Sequence, residues 1–396
     1  MKKIAVVTST RADYGLLRRL LNLLNQSEDF ELQLLVTGTH LVELHGRTVQ
    51  EIEHDGIPIS RMIEIFPQGE KEPIMTDVMG TVMHLFTEAF QQLRPDLLLL
   101  LGDRFEIYAV ASTAYTLRIP IGHIHGGEVT SGALDDGYRH CMTKLSQLHF
   151  TAAEEYSHRV IQLGEQPDTV FHVGGMGVDA IQKLAFWSKE KLEASLGVSF
   201  QDKIYLITFH PVTTGGDSTE VCRSILRALS GETDGYTKIF TFANADAGGE
   251  EINRLIADFC QRHDDSFCFP SLGQLRYLSL MKLASGVLGN SSSGLLEAPS
   301  LQVPTLNIGT RQEGRLMADS IITVNDDYES IRAGLLDLQE KMENLCRGSI
   351  QNPYGKPNAP ENTISILQNY DWEKLKQPKK FFDLTSGIIE QTRVWK

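Results

Sequence analysis

The chain has 396 residues, 41% of them hydrophobic and 22% charged, a make-up that is globular and too long for one small core, so two domains are expected. Its formal net charge of −14 argues against non-specific nucleic-acid or membrane-surface binding, because a phosphate backbone rewards clustered Lys and Arg. An anionic ligand stays open, since a few local Arg residues or a helix N-terminus can hold a phosphate. The cysteines (Cys141, Cys222, Cys260, Cys268 and Cys346) form no CxxC pair and suggest neither a disulfide framework nor a zinc site. Reduced thiols in a cytoplasmic protein are expected. Met1-Lys2-Lys3 runs into an apolar stretch at 4–7, too short for a signal peptide or a membrane span.

In chain order, residues 4–7 read as a buried strand, 14–24 have helical spacing and 30–36 read as a second strand. Asp96 precedes a run of five leucines, 97–101, that ends in Gly102-Asp103. Ile119-Pro120-Ile121-Gly122 leads into another short strand, and Leu148-His149-Phe150-Thr151 is one more. Runs that are apolar at every residue indicate strands covered on both faces, hence a parallel sheet. The βαβα rhythm predicts a doubly wound α/β fold. It pauses at Val173-Gly174-Gly175-Met176-Gly177 and restarts at 204–209, with later strands at 238–242, 266–269, 286–288, 305–308 and 321–324. We therefore expect a Rossmann-like domain over 1–175 and a second over 176–370. The tail 371–396, with its basic run 374–380, is a candidate to pack back on the first domain. Two such domains facing each other bring the carboxyl ends of both sheets to one cleft, where α/β folds bind ligands.

Polar residues just after an apolar strand are then the site candidates. Thr10-Arg11-Ala12-Asp13-Tyr14-Gly15 follows the first strand. Asp13 can cap the helix and Arg11 can clamp a phosphate through its planar fork. The absence of GxGxxG there speaks against a dinucleotide cofactor. In Gly102-Asp103-Arg104-Phe105-Glu106, helix capping would explain Asp103, but five leucines also deliver it to a place where desolvation can raise its pKa. His123-Ile124-His125-Gly126-Gly127-Glu128 continues into Asp135-Asp136-Gly137-Tyr138-Arg139-His140. No third ligand stands at a typical metal spacing, so acid–base chemistry is favoured over a metal, with His123 alone readable as a core histidine. Thr208-Phe209-His210-Pro211 ends the first strand of the second half with a histidine able to donate a proton or bind a phosphate. Gly289-Asn290-Ser291-Ser292-Ser293-Gly294 opens a helix whose free N–H groups and hydroxyls suit a pyrophosphate, with Glu297 one turn on able to accept from a ribose diol. Arg311 and Arg315 add two cations nearby.

These clusters, together with Ser9-Thr10-Arg11-Ala12-Asp13-Tyr14 and Asn244-Ala245-Asp246-Ala247-Gly248, resemble the hydrolysing UDP-N-acetylglucosamine 2-epimerases over most of the chain, in the branch serving sialic-acid-type or legionaminic-acid-type synthesis. The resemblance implies the glycosyltransferase-B fold, a homodimer or higher homo-oligomer, and neither metal nor other cofactor. It implies a reaction in which the C2 proton is removed while UDP leaves C1, giving a 2-acetamidoglucal. Water then adds at C1 and a proton returns to C2 from the opposite face. It further implies that Asp103 and Asp135 belong to the acid–base set, with His210 on the phosphate or leaving-group side. Arg11, Asp13, Ser292, Ser293, Glu297 and Arg315 would hold the UDP, with Arg104 and Asn244 nearby. Many members carry Glu where this chain has His125. Either His125 takes over that role, or Glu128 supplies the carboxylate. The expected activity is release of UDP and N-acetylmannosamine from UDP-N-acetylglucosamine. One alternative is the 2,4-diacetamido-trideoxy analogue of that substrate. Others are a glycosyltransferase of the same fold and a non-catalytic nucleotide-sugar sensor, which the carboxylates after Gly126-Gly127 disfavour.

Overall fold

Strands that are apolar at every residue need cover on both faces, and the first sheet has it. The computed structural model describes residues 1–43, 46–66, 74–130, 134–182, 184–212, 217–243, 248–344 and 348–384. The chain divides into two units, one from residues 1–129, 133–179 and 356 onward, the other mainly from 180–355.

Unit 1 holds β1 (Lys2–Thr8), β2 (Phe30–Thr37), β3 (Ile59–Ile63), β4 (Leu97–Leu101), β5 (Ile121–Ile124), β6 (Leu148–Thr151) and β7 (Val170–His172). They form one parallel sheet in the order β3-β2-β1-β4-β5-β6-β7. Alternate residues serve opposite faces. Ile4, Val6, Leu97, Leu99 and Leu101 enter one hydrophobic cluster, while Ala5, Val7, Leu98 and Leu100 enter the other. The edge strands β3 and β7 escape the sequence reading because their side chains are mixed or only half-buried. The Arg11–Gln26 helix buries Leu17, Leu20, Leu21 and Leu24 at helical spacing and starts with a Thr10/Asp13 capping box.

Unit 2 holds β8 (Lys203–Thr208), β9 (Tyr236–Thr241), β10 (Ser266–Phe269), β11 (Gly286–Gly289), β12 (Thr305–Ile308) and β13 (Ile321–Val324). Its parallel order is β10-β9-β8-β11-β12-β13. Tyr205 and Ile207 face one cluster, Ile204 and Leu206 the other. The α/β class with two Rossmann-like parallel-sheet domains is thus the one observed.

The chain leaves unit 1 at Asp179 and re-enters it at Lys356. Residues 356–370, which the sequence reading assigned to the second domain, therefore lie in unit 1. An amphipathic helix does not announce which sheet it covers. Here Ala359 and Leu367 of the Ala359–Asn369 helix join the cluster of the Arg11–Gln26 helix. The buried Asp179 carboxylate accepts from the Asn358 N–H at 2.7 Å, fixing the re-entry point. Among the described residues, no helix is long and apolar enough to cross a membrane.

Candidate active site

In an open parallel sheet the strand order reverses at one place, and the loops that leave there part to opposite faces and open a crevice. In unit 1 that place lies between β1 and β4, and in unit 2 between β8 and β11. The loops leaving these four strands carry most of the residues singled out above.

After β1, Asp13 is buried and fully engaged. It accepts from the Thr8 hydroxyl, the Ser9 N–H and hydroxyl and the Thr10 N–H. Burial pushes its carboxyl up against these four bonds, which pull it down. Expected as a UDP contact, Asp13 instead spends both its oxygens on the loop. His40 backs the loop, with Nε2 donating to the Thr8 hydroxyl at 3.0 Å and Nδ1 accepting from Thr48 at 2.8 Å. Burial holds its pKa down to about 4, so it is neutral. Arg11 is exposed at the helix start and pairs with Glu51 at 2.9 Å.

After β4, the left-handed Gly102 (φ +84°) turns the chain and its carbonyl accepts from His123 Nε2 at 2.9 Å. His123 is wholly buried with its pKa lowered to about 3 by burial, and so is a neutral core histidine. Asp103 pairs with Arg139 from the Leu134–Leu145 helix. Arg139 also donates to the Glu128 carbonyl at 2.9 Å and to Asp136 at 3.0 Å. This guanidinium, only 4% exposed, ties the loops after β4 and β5 to the helix that presents Asp135. The sequence reading did not assign it a role, although its i+3 spacing from Asp136 was a usable signal. The Asp135 carboxyl is raised first by loss of water and then by the Asp103 charge, with Arg104 and Arg139 opposing. Arg104 pairs through Nε with the buried Glu106. Burial alone would lower the Arg104 pKa, but Glu106 outweighs it, and Asp135 and Asp13 add to the rise.

After β5, His125 adopts a left-handed backbone (φ +66°). Its Nε2 accepts from the Met176 N–H at 3.2 Å, which leaves the ring proton on Nδ1, 3.2 Å from Glu128 Oε1. Arg159 donates to the Gly127 carbonyl at 2.5 Å and holds the same loop from the Glu154–Gln162 helix.

In unit 2, Asn290 joins β8 to β11. Its side chain accepts from the His210 N–H and donates to the His210 carbonyl, both at 2.8 Å. Its own carbonyl accepts from Arg311 at 3.1 Å and Gln312 at 2.8 Å. The helix expected after the serine series is one turn, Ser293–Leu296, too short for a useful dipole. Glu297 is only partly open to solvent, and burial raises its carboxyl against the Ser293 hydroxyl, which lowers it. Burial pushes the neighbouring Tyr277 phenol up to about 12, with the Glu297 charge adding. Arg315 keeps its Nε buried with no protein partner among the described residues. Ser292 lies between Ser291 and Ser293 in the loop, its carbonyl accepting from the Leu295 and Leu296 N–H groups at 3.0 and 2.9 Å. Asn244 lies outside the described residues. No three His, Cys, Asp or Glu side chains group as metal ligands among the described residues.

Unit 1 therefore gathers Asp103, Arg104, His125, Glu128 and Asp135 about the end of its sheet, with the raised Asp135 carboxyl near Asp103. Unit 2 gathers His210, Ser292, Ser293, Glu297 and Arg315 from the loops after β8, β11 and β12. A model of the UDP-N-acetylglucosamine 2-epimerase family matches residues 22–368. The chain is 37% identical over 386 residues to the polysialic acid biosynthesis protein P7 of Escherichia coli, covering 97% of this chain and 98% of that one. It is 39% identical over 329 residues to a hydrolysing GDP/UDP-N,N'-diacetylbacillosamine 2-epimerase of Campylobacter jejuni, covering 82% and 85%. The structure of the Neisseria meningitidis UDP-GlcNAc 2-epimerase bound to UDP-GlcNAc superposes with a TM-score of 0.77 at 21% identity, over 93% of this chain and 100% of that one. That likeness is one of fold, the glycosyltransferase-B type.

Proposed function

Since the chain belongs to the UDP-N-acetylglucosamine 2-epimerase family, we propose that it is a hydrolysing 2-epimerase that releases UDP and an epimerised free 2-acetamido sugar. The observation that carries the reading is the unit 1 acidic cluster, in which Arg139 pairs with Asp103 from the helix that presents Asp135, and burial and then the Asp103 charge raise the Asp135 carboxyl. Removal and return of a C2 proton need two such groups, one to accept and one to donate. Asp103 takes the C2 proton as the C1–O bond to UDP breaks, leaving a 2-acetamidoglucal. Water adds its oxygen to C1 and releases one proton to solvent, while Asp135 delivers a proton to C2 from the other face. Glu128 is the remaining carboxylate of the set, and His125 positions it. Arg11 and Arg104, with His210, Ser292, Ser293, Glu297 and Arg315 of unit 2, serve the UDP, while Asp13 shapes the loop that carries Arg11. The enzyme works as a homo-oligomer in the cytoplasm.

The first substrate is UDP-N-acetylglucosamine, giving N-acetylmannosamine for sialic-type acids, in keeping with the printed name of the Escherichia coli relative. The Campylobacter jejuni relative and His125 in place of Glu favour a second reading, UDP-2,4-diacetamido-2,4,6-trideoxyglucose. Incubation with each substrate in deuterated water, followed by NMR, decides between them. The expected products are UDP and a 2-epimerised sugar carrying deuterium at C2. A sugar that retains its C2 configuration without deuterium, or UDP release only on addition of an acceptor, would overturn the epimerase reading.

A further inference from the structure

A lysine ammonium seeks three acceptors and a counter-charge, and Lys379, its side chain partly exposed, has found them at the far end of the site helix. Its Nζ donates to the carbonyls of Ser146 at 2.6 Å and Lys144 at 2.7 Å and lies 3.4 Å from that of Thr143. It pairs with Glu165 Oε2 at 2.6 Å. These carbonyls belong to the last turn of the Leu134–Leu145 helix and the residue after it, groups that a helix leaves without internal partners. Glu165 is 1% exposed and also meets Lys144 at 2.5 Å and His149 at 3.0 Å. The segment around Lys379 is latched beside it. The Phe382 N–H donates to the Gly164 carbonyl at 2.9 Å, and Lys144 Nζ lies 4.9 Å from the centre of the Phe381 ring.

We propose that Lys379 is a positioning residue for the acidic site, acting through the Leu134–Leu145 helix. That helix presents Asp135, Asp136 and Arg139 in its first turns. Twelve residues make a rod about 18 Å long, so a pin at one end sets the axial position of the other. The pin comes from a part of the chain more than 230 residues downstream of the helix carbonyls it holds, so closing unit 1 with its C-terminal segment completes the placement of the catalytic carboxyls. The catalytic side of this inference rests on the epimerase reading, while the pin itself does not.

Three variants and two readouts test it. Lys379→Met removes the charge and the donors. Lys379→Arg keeps both, and a cavity of about 240 Å³ beside it, lined in part by Gln147, Gln166 and Gln377, leaves room for the larger head. In Lys379→Met, amide exchange should accelerate roughly tenfold across 134–145, the first turn included, with β1 and β4 unchanged. In the same variant kcat should fall roughly tenfold while KM stays within about twofold, since geometry at the reacting atoms is lost and binding is not. Lys379→Arg should restore most of both. Phe381→Ala, which loosens the segment and removes the ring beside Lys144 while leaving Lys379 and its acceptors in place, should move exchange in the same direction and covers a Lys379→Met that does not fold. Unchanged exchange in the helix overturns the pin, and faster exchange with unaltered kcat overturns the positioning role. If the wild-type protein turns over no UDP-sugar, the epimerase reading fails and exchange at 135–139 still decides the pin.

Discussion

Both ring nitrogens of His125 are taken, one by the Met176 N–H and the other by Glu128. A group so placed can orient a carboxylate, but it has no free lone pair to offer a substrate. Its backbone is left-handed (φ +66°), a conformation that Asn tolerates and β-branched residues do not. His125→Asn therefore keeps the turn while shortening the link to Met176. We expect kcat to fall roughly tenfold with both limbs of the pH–rate profile kept, because both its ring nitrogens are engaged by the protein rather than by substrate. Glu128→Gln, which leaves the turn alone, should cost roughly 100-fold or more. Loss of one limb in His125→Asn would instead make His125 the proton carrier. The His-Gly-Gly-Glu spacing was legible in the sequence, but the direction of this pair was not. It depends on Met176, 51 residues away, whose amide selects the tautomer.

At the scale of elements, the loops leaving β8 and β11 work only if the two strands run close together at their carboxyl ends. Gly289 makes this possible. It sits at φ +124°, and a Cβ there would meet the Thr208 carbonyl oxygen at 1.9 Å. Gly289→Ala is thus both strained and overpacked against backbone, and should destabilise unit 2 by about 3 kcal/mol or more. Gly231, inside the Ser218–Glu232 helix with no atom near its missing Cβ, makes the contrast. Gly231→Ala should be neutral or stabilising by up to about 1 kcal/mol. Urea unfolding of the two variants checks the pair, and equal effects would sink the argument from close approach. The strand ends were legible because the runs are short, apolar and bounded by Gly or Asp. The edge strands β3 and β7 were not, since half-covered strands lack such runs. The one-turn Ser293–Leu296 helix was overread from its serines, which serve a turn as readily as a helix start.

Across the whole molecule, the sequence exposes the doubling of the fold through two sets of apolar strands and marks the tail from residue 371 as able to pack back on the first, but conceals that the return begins at residue 356. That return depends on long-range pairs such as Asp179 with Asn358 and Lys379 with Glu165. Unit 1 also holds buried histidines that tie its loops together, and these give the stability of that unit a pH dependence. Folded His123 titrates at about 3 and His40 at about 4, both through burial, against roughly 6.5 in the unfolded chain. Between those values the unfolded state binds more protons than the folded one, so stability rises with pH. The contribution is complete above about pH 6.5 and is lost as pH falls toward 4 and then 3. Asp13, raised by burial, acts with the opposite sign. Its contribution is present at low pH and fades as pH rises through its raised value, which blunts the acid end of the curve. Between about pH 6.5 and 5 the two histidines each add a slope of up to about 1.4 kcal/mol per pH unit. Replacing His123 by Asn should lower the stability at neutral pH, because the Gly102 carbonyl loses its donor, and should also flatten the slope by one proton. Opening free energies from amide exchange at Leu97–Leu101, corrected for intrinsic rates, measure both effects in unit 1 alone. A parallel downward shift with the slope intact would mean that folded His123 carries its proton in that window, and the neutral donor to Gly102 would have to be abandoned.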